Sequence, residues 1–223
     1  MPQPVRRACH FNLNGLQERP QHAAMLGVIV AISGRLESAL GYLMALFSRG
    51  SAAITISMFH AVSSTDAQRE MLIAAAEKSL VGPELDAFKE LMEDFRPRYG
   101  ERSKLVHNLW GVSNDHPDKA LWCRSADAAS VIAKLSAAKD GAAALQVTID
   151  ENLSLKCMIY TVKDLQDVAQ RLGEYLDRVN AFATELMGNH PALVEAASAA
   201  TSAQPTSAQS QLDLPQHPQT ENK

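Results

Sequence analysis

Apolar residues recur at intervals of three and four along most of this chain, and that spacing predicts helices. Met25, Ile29, Ile32, Leu36, Leu40, Leu43 and Phe47 form a stripe for one long helix from Pro20 to Arg49-Gly50. Ser51 to Val62 predicts a second helix with Ile54, Met58 and Phe59 inward and His60 beside that face as a packed or surface histidine. Thr65-x-x-Gln68 has the form of a capping box, with each end satisfying the other's backbone N–H, and Met71, Leu72, Ala75 and Leu80 continue that helix to Gly82. Pro83 suits a first helical position, where its missing N–H costs nothing. Leu85, Phe88, Leu91, Met92 and Phe95 then mark a buried face until Pro97 stops the helix. The most regular stripe, Leu165, Val168, Leu172, Tyr175, Leu176, Val179, Phe182 and Leu186, follows the cap signal Thr161-x-x-Asp164.

The pattern breaks in three places. Residues 1–15 hold Pro2, Pro4, Asn12, Asn14 and Gly15, which predicts a flexible or draped lead-in. Ala120 to Arg124 and Leu155 to Tyr160 predict two short strands able to pair as a hairpin, with alanine-rich Ala126 to Lys139 between them as a helix or an ordered excursion. From Asn189 the chain turns to Ala, Ser, Thr, Gln and Pro, with Thr-Ser-Ala-Gln at 201 and again at 206. Too few apolar residues remain there to offset ordering entropy, so 189–223 is expected to be a disordered tail. The expected fold is therefore mainly α: a helical bundle over 16–188, a small β insertion at about 119–161, and flexible ends.

Composition narrows the function. The chain has 223 residues, is 46% hydrophobic and only 5% aromatic, and carries a net charge of −4. Such a surface does not grip long nucleic acid by phosphate neutralisation alone, so any RNA contact has to be local. Cys9, Cys123 and Cys157 show no metal-ligand spacing, which fits reduced intracellular thiols and no metal or cofactor. The apolar run Ala23 to Gly34 meets Arg35 and Glu37 at once and reads as too short to cross a bilayer. No signal-peptide pattern follows Arg6-Arg7, so the expected location is the cytoplasm, with no membrane partner. Gly-x-Ser-x-Gly, phosphate-cradling glycine loops and His-Glu-x-x-His do not occur.

The chemistry concentrates at Glu101-Arg-Ser-Lys-Leu-Val-His-Asn-Leu-Trp110. An arginine that stays charged at any working pH and a histidine that titrates near neutrality supply an anion clamp and a proton carrier. Arg96, Arg98, Arg102 and Lys104 also make this the strongest local excess of positive charge. Gly100 is expected to separate the preceding helix from the one carrying the motif, which then ends near Gly111. Positions five apart on a helix lie about 140° from each other. Arg102 and His107 therefore meet only if Arg102 sits in an irregular first turn, or if a two-fold dimer sets one subunit's arginine beside the other's histidine.

Arg102, four intervening residues, then His107 and Trp110 resemble the HEPN superfamily, whose hallmark is Arg, four to six residues, His. The resemblance covers the motif closely and the frame of about 16–112 loosely. It implies an all-helical, dimeric domain that is either a metal-independent endoribonuclease of toxin–antitoxin or phage-defence systems, or a non-catalytic adaptor. Under the first reading Arg102 and His107 are catalytic, Arg98, Ser103 and Lys104 contact phosphate, and Glu37, from the early helix, supports the cleft. Ser103 departs from the asparagine common after the motif arginine, which bears on catalysis rather than fold. The partners implied are a second copy of the chain, RNA, and an antitoxin or other protein. The bland alternative pairs Arg102 with Glu101, Glu93 or Asp94, leaves Glu37 a solvated carboxylate paired with Arg35 or another surface charge, and packs His107 at a helix interface beside Trp110.

Overall fold

A computed structural model describes residues 1–5, 16–127 and 157–195 in full, and the backbone of 9–12 and 146–149. Most of the alanine-rich excursion and residues 196–223 of the proposed tail lie outside the described residues. The longer described helices are α1 (Pro20–Ser48), α2 (Ala52–Ala61), α3 (Thr65–Ser79), α4 (Pro83–Glu93), α5 (Phe95–Val106) and α6 (Val162–Asn189). Strands are β1 (Gln3–Pro4), β2 (Cys9–Asn12), β3 (Leu109–Gly111), β4 (Ala120–Cys123), β5 (Gln146–Ile149) and β6 (Cys157–Tyr160). The mainly helical class is as expected. The strands exceed a hairpin: β1-β6-β4-β3 form one antiparallel sheet, and β2 pairs with β5 in a second. The N-terminal lead-in thus contributes two strands, and Val5 is 1% exposed.

α1 is the central helix. It packs most extensively on α6, then on α2 and α3. Its stripe buries Ile29, Leu36, Leu40, Leu43 and Phe47 as its spacing predicts. Leu36, Leu40 and Leu43 join Leu72, Phe88, Met92, Phe95, Tyr175 and Val179 in the main core. A second cluster, with Ile29, Leu105, Trp110, Trp122, Tyr160 and Leu172, ties the sheet to α1, α5 and α6. β4 is buried throughout because its alternate residues serve two layers. Ala120 and Trp122 face the helices, while Leu121 and Cys123 pack with Val5, Cys157 and Ile159.

α1 also has the length and apolarity of a membrane-crossing helix, with a mean hydropathy of 1.5 over its best window, of which 22% is buried. The apolar run is therefore longer than the sequence reading allowed, because the helix continues through Arg35 and Glu37 to Ser48. Val28 and Val30 lie on its exposed side.

Local expectations fail where a distant neighbour sets the phase. Ile54 and Met58 of α2 face solvent at 50% and 62% exposure, and of the three residues expected inward Phe59 alone is buried. Gly41 of α1 explains this, since a Cβ there would meet His60, Ile56 and Phe59 at 3.3–3.6 Å. α2 seats its Ile56–His60 side on that bare backbone and turns Ile54 and Met58 away. Ser64, rather than Thr65, caps α3 by accepting from the Ala67 N–H at 3.3 Å. Gln68 instead donates to the Phe59 and Val62 carbonyls at 3.2 and 3.0 Å, closing the end of α2. The Thr161–Asp164 capping box forms as written.

Two stability predictions arise here. Gly82 holds φ +59 and ψ −138 ahead of Pro83, a conformation open essentially to glycine. Gly82→Ala is expected to cost about 1–3 kcal/mol, read by urea unfolding, although the space beside it is empty. His22 is 2% exposed, with its Nε2 3.1 Å from the Tyr160 carbonyl, where it donates. Burial, reinforced by Arg19 and opposed by that hydrogen bond, holds its pKa below the ordinary 6.5. Below pH 6.5 the unfolded chain takes a proton there that the folded chain refuses, so stability falls as pH drops from 6.5 through the lowered folded value. In His22→Gln, plots of unfolding free energy against pH should be flatter over that window.

Candidate functional site

The helix that carries the motif starts earlier and stops sooner than its residues suggest. α5 begins at Phe95, so Pro97 is its third residue and its missing N–H falls among those a helix start leaves unpaired; the first i→i−4 bond to follow is Arg98 N–H to the Asp94 carbonyl at 3.3 Å. Pro97 is thus inside a helix start, and Gly100 lies within the helix rather than before it. The helix ends at Val106, and Trp110 belongs to β3. Trp122 of β4 donates its indole N–H to the Lys104 carbonyl at 2.8 Å, and Trp110 donates to that of Leu105 at 2.8 Å. Two of the last helical carbonyls are thereby claimed by the sheet.

This ending resolves the 140° problem in a way neither expected route did. Arg102 sits well inside the helix, but His107 is the residue after its last turn, at φ −99 and ψ 11. Its ring swings back along the helix, and Arg102 Nη1 lies 3.3 Å from His107 Nε2 within one subunit. Arginine only donates, so Nε2 accepts, and in this contact the imidazole is neutral with its proton on Nδ1. His107 presents a lone pair beside a fixed positive charge.

Arg102 projects from the buried side of α5, the side of Phe95, Tyr99 and Leu105. Its side chain is 22% exposed, its Nη2 lies 4.0 Å from Glu37 Oε1 of α1, and its Nε is buried without a partner. The acids that the bland alternative offers to Arg102 are engaged elsewhere. Glu101 takes Arg171 at 2.7 Å and Arg98 at 3.5 Å, Glu93 takes Arg69 at 3.2 Å, and Asp94 takes Arg178. Glu37 pairs with Arg102 rather than Arg35. A guanidinium with five donors and so loose a set of partners keeps capacity for an incoming anion.

The remaining candidates do not converge on this point. Arg98 is held by Glu101, and Ser103 is exposed. Lys104 is exposed and lines a different cavity of about 470 Å³ with Glu101, Tyr160, Asp164, Asp167 and Arg171. The residue that sequence reasoning missed is Tyr99, one turn before Arg102. Its hydroxyl is buried and faces the Glu37 carboxylate. Burial first and the Glu37 charge second push its pKa far above the ordinary 10, with Arg102 pulling the other way. The i, i+3 spacing could have found it, had the helix been drawn through Gly100. Among the described residues no three His, Cys, Asp or Glu side chains converge as metal ligands. Glu37, Tyr99, Arg102 and His107 thus bring together a carboxylate, a buried phenol, an anion clamp and a neutral imidazole. The chain matches no protein-family model, no curated protein and no solved structure.

Proposed function

We propose that the chain is a metal-independent endoribonuclease of the HEPN type, acting in the cytoplasm as a homodimer, and that its site is built on Arg102 and His107. The observation that carries the reading is the 3.3 Å contact between them. His107 Nε2 takes the proton of a ribose 2′-hydroxyl, the 2′-oxygen attacks the adjacent phosphorus as the bond to the 5′-oxygen breaks, and that oxygen takes a proton from water while the imidazolium returns its own to solvent. Arg102 exchanges its contacts with Glu37 and His107 Nε2 for the phosphate oxygens, freeing that nitrogen, and stabilises the charge that grows on them. The products are a 2′,3′-cyclic phosphate and a 5′-hydroxyl. Because arginine and histidine meet within one subunit, a dimer duplicates the clamp along a shared groove rather than assembling it. Lys104 and Arg98 serve phosphates flanking the scissile one, and a toxin–antitoxin or phage-defence setting supplies the antitoxin as protein partner.

The test is incubation of the full-length protein with single-stranded RNAs of mixed sequence in the presence of EDTA. Fragments ending in 2′,3′-cyclic phosphate support the reading; intact RNA across the set counts against it. The second reading, a non-catalytic adaptor of the same build, draws on the apolar residues left exposed on α1 and α2: Val28, Val30, Ile54 and Met58. Intact RNA together with a stable complex with another protein would favour it.

A further inference from the structure

His107 owes its place to the way α5 ends, and part of that ending is made by side chains outside the core. The Ser125 hydroxyl donates to the His107 carbonyl at 2.8 Å, and the Ser125 N–H donates to Asn108 Oδ1 at 2.9 Å. Asn108 Nδ2 turns back to the Lys104 carbonyl at 2.6 Å, the same oxygen that accepts from the Trp122 indole. Ser125 follows β4 by two residues, so this chain of bonds ties the end of the helix to the end of the central strand across eighteen residues of sequence.

We propose that Ser125 and Asn108 are positioning residues for His107: they fix the residue that follows α5, so that the imidazole points at Arg102. The inference rests on the nuclease reading for its purpose, though not for its geometry. A helix ends where its last carbonyls find partners other than the next turn's N–H groups. The two Trp indoles hold the end of the helix, but without the Ser125 and Asn108 bonds His107 itself, whose N–H already reaches the Ser103 carbonyl at 3.2 Å, is free to take helical φ and ψ. One more helical residue would carry the ring about 140° away from Arg102. The two Trp indoles cap the preceding carbonyls but make no bond to His107 itself. Ser125 is exposed, so its truncation opens no cavity and the effect falls on position rather than on folding.

Ser125→Ala, Ser125→Thr and Asn108→Ala test this in the full chain, by ¹⁵N NMR of the His107 ring and by RNA cleavage. Wild type and Ser125→Thr should show His107 mainly in the Nδ1–H form; Ser125→Ala and Asn108→Ala should show a tautomer mixture, with thermal unfolding unchanged. Cleavage should fall roughly tenfold in kcat in the two alanine variants, with KM preserved, a loss that displacement of a catalytic group by a fraction of an ångström accounts for. A Ser125→Ala spectrum identical to wild type overturns the positioning role, whatever the cleavage data. A wild type that cleaves no RNA while Ser125→Ala still changes the His107 spectrum defeats the nuclease reading and leaves the positioning role standing.

Discussion

Arg102→Ala and His107→Ala should each slow RNA cleavage by about 10²–10⁴-fold, the range expected when a general base or a clamp on developing charge is removed. The two losses should be similar in size, and the double variant little worse than either single one, because one group without the other no longer completes the step. Folding should survive in both. His107 is exposed, and Arg102 leaves behind only Glu37, a carboxylate whose side chain is 33% exposed and can take up water. Arg102→Lys should recover little of the loss, since an ammonium keeps the charge but not the planar fork. Wild-type rates in either alanine variant, with circular dichroism and mass unchanged, would remove the pair from the mechanism.

Phe88→Ala should be the most damaging substitution for stability, at about 3–5 kcal/mol. Phe88 is fully buried, with its ring 5.0 Å from Phe47 edge-on and 5.4 Å from Phe182, so α1, α4 and α6 all meet on it. Truncation loses both aromatic contacts and leaves a cavity that three long helices cannot close. Met58→Ala is the matched control: the sequence pattern marks both residues as inward, yet Met58 is 62% exposed. Its cost should stay within about 0.5 kcal/mol. Urea titration of the two variants checks this, and equal midpoints would mean that the core is not organised around Phe88.

Several features could be read one residue at a time because their causes are local. The α1 stripe, the Thr161–Asp164 box, Pro83 at a helix start and the pairing of the segments at 120–123 and 157–160 rest on spacing within a turn or on strand alternation. The phase of α2 could not be read in this way, because it depends on Gly41, fifteen residues or more from the side chains it seats. Nor could the start of α5, where Pro97 gives the same stop signal whether it follows a helix or lies in the first turn of one.

The sequence by itself determined a mainly helical chain with most of its core stripes in place, and it singled out Arg102 and His107 as the residues with chemistry to offer. Only the tertiary structure decided that they meet. Trp110 and Trp122, held by the sheet, end α5 before His107, and the packing of α1 against α5 brings Glu37 to the guanidinium that Tyr99 already flanks on its own helix. A helix terminus is set by whichever groups claim its last carbonyls, and here one of those groups lies on a strand that the chain reaches only after leaving the helix.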